Sequence, residues 1–198
     1  MREHSTYRES LRPQGARVVR VDGDERTVEV DKKSFCRVMR LLRDHTRCQY
    51  KVLSDRTAVD YPRRDLRFDL VYSLLSPRYA SRLRVKLRVG ELSAVPTRSS
   101  LYKSANWVER EVWDRFGIGL RGHPDLRRLL TDYGFEGHPM RKDFPTEGYT
   151  QVQYDAGVKR VVCVPRELSQ APRPSTYKSA WKQRPGRKVV SPATTPTA

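Results

Sequence analysis

Residues 81–89 read SRLRVKLRV and decide the fold prediction. Apolar residues alternate here with cations, and successive side chains of a β-strand point to opposite faces of a sheet. The segment therefore predicts a strand with one buried face and one solvated, basic face. A similar alternation at residues 68–74 predicts a second strand, and Ser76-Pro77-Arg78 predicts the turn between the two.

The upstream region has the pattern of a hairpin followed by a helix. Val18 to Val21 and Thr27 to Val30 are predicted strands around Asp22-Gly23-Asp24, where glycine permits positive φ. Asp31 stands at a helix N-cap position. Apolar residues then recur at i, i+3, i+4 and i+7, which predicts an amphipathic helix to about Asp44. These residues are Phe35, Val38, Met39 and Leu42.

A second helix is predicted from about Ser104 to Phe116, with Ser104 or Asn106 as its cap. Its apolar stripe consists of Ala105, Val108, Val112 and Phe116. Glu109 falls inside this stripe and requires a partner there, whereas Trp107 points away and is a candidate anchor for another chain. The alternative is that Glu109 reaches the edge and Trp107 covers its own sheet.

Together these patterns predict an α+β fold, a two-layer sandwich of a mostly antiparallel or mixed sheet with helices on one face, plus an extended irregular C-terminal arm. We expect an N-terminal extension at 1–15, an α+β domain at 16–118, an ordered irregular docking segment at 119–165 and a basic, proline-containing arm at 166–198. Pro124 is placed to start a short helix that ends by Gly134. Residues 133–145 combine glycine, proline, aromatic and charged residues, which predicts an ordered loop.

The charge distribution favours a protein partner for the middle of the chain. The 198 residues carry 40 Lys and Arg against 23 Asp and Glu, a net charge of +17. Residues 101–150 are balanced, however, and a surface with both signs suits another protein. No apolar run approaches the roughly 20 residues of a membrane span, and no secretory signal is predicted.

The sequence contains no pattern of a self-contained active site. The three cysteines, Cys36, Cys48 and Cys163, form no C-x-x-C motif, which disfavours a disulfide framework or a metal clasp. His123 and His138 each precede a proline, which favours turns over ligation. We therefore expect no catalytic, cofactor-binding or metal-binding residues.

Several motifs occur together in the middle of the chain. Residues 107–114 read WVEREVWD, residues 123–130 read HPDLRRLL, and residues 131–139 and 141–145 read TDYGFEGHP and RKDFP. Upstream, residues 53–55 and 58–62 read LSD and AVDYP. With these motifs the chain closely resembles the 30-kDa subunit of respiratory complex I, over roughly residues 30–181. It departs from the family at Arg115, usually apolar, and in the tail beyond Trp181.

The resemblance implies a non-catalytic core subunit of the hydrophilic, peripheral arm of proton-pumping NADH:ubiquinone oxidoreductase. It would scaffold the quinone-site subunit, the 49-kDa chain similar to the hydrogenase large subunit, next to nearby iron–sulfur subunits in a hetero-oligomer. FMN, iron–sulfur clusters and ubiquinone would belong to neighbouring subunits. The implied location is the matrix side of the mitochondrial inner membrane, or the cytoplasmic membrane face of a bacterium.

Fourteen residues are predicted to form the partner interface, with Glu109, Arg110, Glu111 and Asp114 in ion pairs that fix the helix against its sheet or the neighbour. They are Trp107, Glu109, Arg110, Glu111, Asp114, His123, Arg127, Arg128, Tyr133, Glu136, His138, Arg141, Lys142 and Asp143.

The alternative function is that of a basic organellar RNA-binding or ribosomal protein, which the net charge and aromatic residues in the tail motivate.

Overall fold

The structure is a computed structural model that describes residues 16–22, 25–168 and 170. The predicted N-terminal extension, the glycine turn of the first hairpin and most of the C-terminal arm lie outside these residues. Among the described residues, no helix is both long and apolar enough to cross a membrane.

One mixed five-stranded sheet forms the framework. Its strands are β1 (Ala16–Asp22), β2 (Glu25–Val30), β3 (Val52–Asp60), β4 (Phe68–Ser76) and β5 (Ser81–Val89). Their order is β1-β2-β5-β4-β3, with β2 and β5 parallel and the other neighbours antiparallel. This confirms the predicted first hairpin and the α+β class.

Strand β5 lies in the middle of the sheet. Leu83, Val85, Leu87 and Val89 are buried, while Arg82, Arg84 and Arg88 are exposed. The alternating residues 68, 70, 72 and 74 of β4 are buried on the same face. Period-two alternation thus correctly predicted which face of the sheet carries the core.

Helix α1 (Phe35–Asp44) packs its apolar stripe into the core, because its four predicted residues are buried without exposed surface. The predicted cap was wrong. A turn in which Ser34 N–H donates to the carbonyl oxygen of Asp31 at 3.0 Å separates Asp31 from the helix. The helix therefore begins three residues later than an Asp31 cap requires.

Helix α2 (Ala105–Phe116) covers the same face and contacts β3. Ser104 stands at the N-cap position, but its hydroxyl donates to the carbonyl oxygen of Leu53 at 3.0 Å, which ties the helix start to β3. Strand β6 (Val95–Pro96) precedes α2 in the chain and strand β7 (Leu120–Arg121) follows it. The two strands form a short parallel pair.

The chain divides into two compact units between Tyr149 and Thr150. The second contains an antiparallel hairpin of β8 (Thr150–Asp155) and β9 (Arg160–Pro165). The predicted boundaries at residues 118 and 165 concern docking roles that the fold does not test, so they stay predictions.

Phe35 tests the packing of α1. Its ring has no exposed surface and lies 5.0 Å from that of Tyr72. We expect Phe35→Ala to lower the free energy of unfolding by about 3 to 5 kcal/mol, because the substitution removes buried apolar surface and leaves a cavity. Arg37→Ala, on the exposed side of α1, should change it by less than about 0.5 kcal/mol in the same urea titration. Equal effects would contradict the orientation of α1.

Candidate functional site

Glu109 lies on the buried side of α2 and has no exposed surface. One carboxylate oxygen accepts the N–H of Arg98 at 2.8 Å and lies 3.4 Å from Nη1 of Arg56. The other accepts the hydroxyl of Thr97. Glu109 therefore has the partner that its place in the stripe requires, and the alternative that it reaches the edge was wrong.

Arg56 is the buried cation that sequence reasoning missed. Its guanidinium lies 5.1 Å from the ring centroid of Tyr72 and, apart from the ion pair with Glu109, its three nitrogens have no hydrogen-bond partner among the described residues. Burial raises the pKa of Tyr72 to about 12. The one available signal was Glu109 itself, because a carboxylate on an apolar stripe demands a cation from a facing strand.

His123 ties the surface loop, residues 122–149 between β7 and β8, to the start of α2. Its Nε2–H donates to the carbonyl oxygen of Asn106 at 3.2 Å, and its Nδ1 accepts the N–H of Asp125 at 3.2 Å. Nε2 also lies 3.9 Å from the Glu109 carboxylate. The imidazole thus bonds through both nitrogens within this chain.

Asp114 is buried on α2 and gathers five hydrogen bonds from the loop. Oδ2 accepts the N–H groups of Leu129, Leu130 and Thr131 at 3.1, 2.8 and 2.9 Å. Oδ1 accepts the Thr131 hydroxyl at 2.6 Å and the Arg128 guanidinium at 3.0 Å. Burial alone would raise the pKa of Asp114, but the hydrogen bonds from Thr131 and the two preceding amides hold it well below its usual range.

These bonds explain why the predicted short helix after Pro124 was wrong. The N–H groups of residues 129–131 point to Asp114, and Arg110 donates to the carbonyl oxygens of Arg127 and Arg128, both at 3.2 Å. Backbone groups bound to side chains cannot form a helical ladder. Arg110 was expected in an ion pair, but these contacts of its buried guanidinium are with backbone carbonyls.

Residues 138–141 form hydrogen bonds to the C-terminal end of α2. The carbonyl oxygens of the last four helical residues accept, in order, the N–H of Gly117 at 2.8 Å, Nδ1–H of His138 at 2.9 Å, the N–H of Met140 at 3.1 Å and Nε–H of Arg141 at 2.7 Å. Helix ends otherwise leave such carbonyls unsatisfied, with a partial negative charge. The loop is thus fastened to the helix by the helix's own terminal groups.

A second group of charges fastens the loop to the sheet. Arg67 donates to both oxygens of Asp60 at 2.7 and 2.9 Å and contacts Asp143 at 2.9 Å. Asp60 also accepts the N–H of Lys142 at 2.8 Å. The hydrogen bond from Arg67 lowers the pKa of Asp60 below its usual value. Burial acts in the opposite direction, and the amide of Lys142 adds to the lowering. Sequence reasoning missed both Arg67 and Asp60.

The structure sorts the fourteen predicted residues by exposure. Seven use their side chains to hold the loop or helix, namely Glu109, Arg110, Asp114, His123, Arg128, His138 and Arg141. Six are exposed, namely Trp107, Arg127, Tyr133, Glu136, Lys142 and Asp143. Glu111 pairs with Arg115 on the helix surface at 3.1 Å. The alternative that Trp107 covers its own sheet was wrong, since the residue is 61% exposed.

The site can hold a surface loop in one conformation. Its buried carboxylates are occupied by arginines, hydroxyls and amides of the same chain. Within the described ranges, no group of three or more His, Cys, Asp or Glu residues is placed to hold a metal ion. Whether a partner covers the exposed residues stays a prediction at this point.

The fold and site define a small α+β domain whose buried charges fix an irregular surface loop. The sequence profile of the respiratory-chain NADH dehydrogenase 30-kDa subunit matches residues 28–150, more than half of the chain. The chain belongs to this family. Family membership decides between the two predicted classes in favour of the respiratory one.

Named relatives agree with this assignment. The chain is 53% identical over 159 residues to NADH-ubiquinone oxidoreductase subunit 9 of Reclinomonas americana, covering 80% of this chain and 78% of that protein. It is 50% identical over 183 residues to a probable mitochondrial NADH-ubiquinone oxidoreductase 30.4 kDa subunit of Candida maltosa, covering 92% and 66%. The solved structure of a trypsin-resistant fragment (1–134) of Nqo5 matches with a TM-score of 0.54 and 32% identity, covering 64% of this chain and 100% of that one.

Gly117 tests the junction of helix and loop. It has a φ of 72°, and an added Cβ would lie 2.5 Å from the ring of His138. We expect Gly117→Ala to cost about 2 to 5 kcal/mol of unfolding free energy, from the left-handed backbone and the clash together. Gly134 is the matched control, because its φ is 73° and no atom lies within 4 Å of an added Cβ. Gly134→Ala should cost about 1 to 2 kcal/mol, and equal costs would contradict the close packing at Gly117.

Asp114 tests the electrostatics of the loop. We expect Asp114→Asn to lower stability at pH 7 by about 3 kcal/mol, since an amide cannot accept all these bonds. The lowered pKa of Asp114 means that its contribution is complete above the ordinary carboxyl value of 3.8 and is lost as the pH falls further.

The difference in unfolding free energy between wild type and Asp114→Asn should therefore become smaller when urea titrations are repeated below pH 4. The exposed Asp125→Asn should change stability by less than about 0.5 kcal/mol. A difference that stays constant down to pH 2 would show that Asp114 ionises like an ordinary carboxyl group.

Proposed function

We propose that this chain is a non-catalytic core subunit of the peripheral arm of proton-pumping NADH:ubiquinone oxidoreductase, complex I. In this role it scaffolds the 49-kDa, hydrogenase-like subunit that forms the quinone site, so that electrons pass from NADH to ubiquinone through neighbouring chains. Family membership and the names of the relatives support the complex. The geometry of the site supports the scaffolding role.

The observation that carries the scaffold role is the contrast between the two sides of the loop. Its inner side is fixed through Asp114, Arg110 and the end of α2. On its outer side, Tyr133 is fully exposed, Leu130 is 54% exposed and Met140 is 49% exposed. Large apolar side chains presented on a rigid loop suit a partner, because a preorganised surface loses little conformational entropy on binding.

The partners of this proposal are polypeptides. The 49-kDa subunit and nearby iron–sulfur subunits would contact the exposed predicted residues, in a hetero-oligomer without nucleic acid. FMN, iron–sulfur clusters and ubiquinone would belong to those neighbours and not to this chain. The buried acids Asp114 and Glu109 accept hydrogen bonds from groups of this chain, which agrees with this division.

The proposed location follows from the complex. The Candida maltosa relative is named as mitochondrial. We place this chain on the matrix side of the mitochondrial inner membrane, or on the cytoplasmic membrane face if its host is a bacterium. It would be held there by its partner subunits.

Tyr133→Ser tests the scaffold proposal. We expect at least a severalfold loss of intact complex on native gels of solubilised membranes, because a side chain at the centre of an interface contributes about 2 kcal/mol or more. Leu92→Ser is the matched control, since Leu92 is equally exposed but lies outside the predicted interface. Normal amounts of intact complex with a specific loss of quinone reduction would contradict a scaffold role.

A further inference from the structure

The hairpin of β8 and β9 carries an apolar face that is exposed to solvent. The strand register pairs Val152 with Cys163 and Tyr154 with Val161, and alternation places these four residues on one face. Val152, Tyr154 and Val161 are 61%, 64% and 63% exposed. On the opposite face, Gln151 pairs with Val164 and Gln153 with Val162.

A two-stranded hairpin is at best marginally stable in water by itself. This hairpin belongs to the second compact unit, which starts at Thr150, and the family profile also ends at residue 150. Burial of its apolar face would offset part of the entropy cost of ordering the twelve strand residues. A covering surface would therefore stabilise the fold of the hairpin.

The charge of this unit indicates which kind of partner surface would cover the apolar face. Residues 151–198 contain nine Lys and Arg against two Asp and Glu, a difference of seven positive charges. A second copy of this unit would be repelled by this charge, most of which lies in residues 171–198, with six cations and no acid. A surface with an apolar centre and an acidic rim complements both features.

We infer that the face formed by Val152, Tyr154, Val161 and Cys163 is a second docking surface, covered by an apolar, acid-rimmed surface of a neighbouring subunit. The inference rests on the proposed membership of the complex and adds an interface apart from the fixed loop. Ordering of the hairpin is then coupled to assembly.

Cys163 supplies the direct readout, because its thiol is exposed on this face. In a Cys36→Ser background, Cys48 is buried and maleimide labelling reports on Cys163. We expect Cys163 to react at least about tenfold more slowly in the purified complex than in the free full-length chain. Trypsin cleavage after Lys159 and Arg160 should slow in parallel.

Two double variants test the face itself. V152T/V161T keeps β-branched side chains but places hydroxyl groups in the proposed contact, whereas V162T/V164T makes the same change on the opposite face. In cells whose own copy is deleted, we expect the first variant to reduce incorporation into the complex at least severalfold, and the second to have a smaller effect.

The outcomes separate the two proposals. Equal labelling of Cys163 in the free chain and the complex, or equal incorporation of the two double variants, would overturn the second docking surface and leave complex membership intact. Protection by anionic lipid vesicles without protection by assembly would overturn it in favour of a membrane contact. Failure of the wild-type chain to co-purify with the flavin- and cluster-bearing complex would instead refute the proposed function.

Discussion

The buried carboxylate of Asp114 is the interaction on which the surface loop depends. It receives three consecutive amides, a hydroxyl and a guanidinium, so that one side chain of α2 sets the path of residues 128–131. A buried carboxylate without such donors would take up a proton, and buried amides without an acceptor would each cost about 1 to 3 kcal/mol. Helix and loop therefore satisfy each other and are expected to lose their structure together.

The end of α2 extends this dependence to residues 138–141. Helices commonly end in solvent, but here His138, Met140 and Arg141 bond to three of the terminal carbonyl oxygens. Gly117 permits their close approach, because the space that its Cβ would fill is occupied by His138 and Arg141. The loop is thus held from two directions, and a surface fixed in this way loses little conformational entropy on binding.

Much of the framework could be predicted from local patterns, and the errors have a common cause. The stripes of α1 and α2 and the alternation of β5 were correct because burial follows a period that each segment carries by itself. The Asp31 cap and the helix after Pro124 were wrong because those predictions treated single residues as local signals for the start of a helix. Arg56 was missed because its partner Glu109 lies 53 residues further along the chain.

The sequence by itself determined the family, the helical stripes, the sheet pattern and the need of Glu109 for a buried partner. The tertiary structure decided which groups meet. A bulge between Leu53 and Asp55 shifts the alternation of β3 by one residue, so that Arg56 and Asp60 face the helices and reach Glu109 and Arg67. Periodicity is a property of one segment, whereas ion pairs and capped helix ends require two distant segments to be close in space, and only the folded chain brings them together.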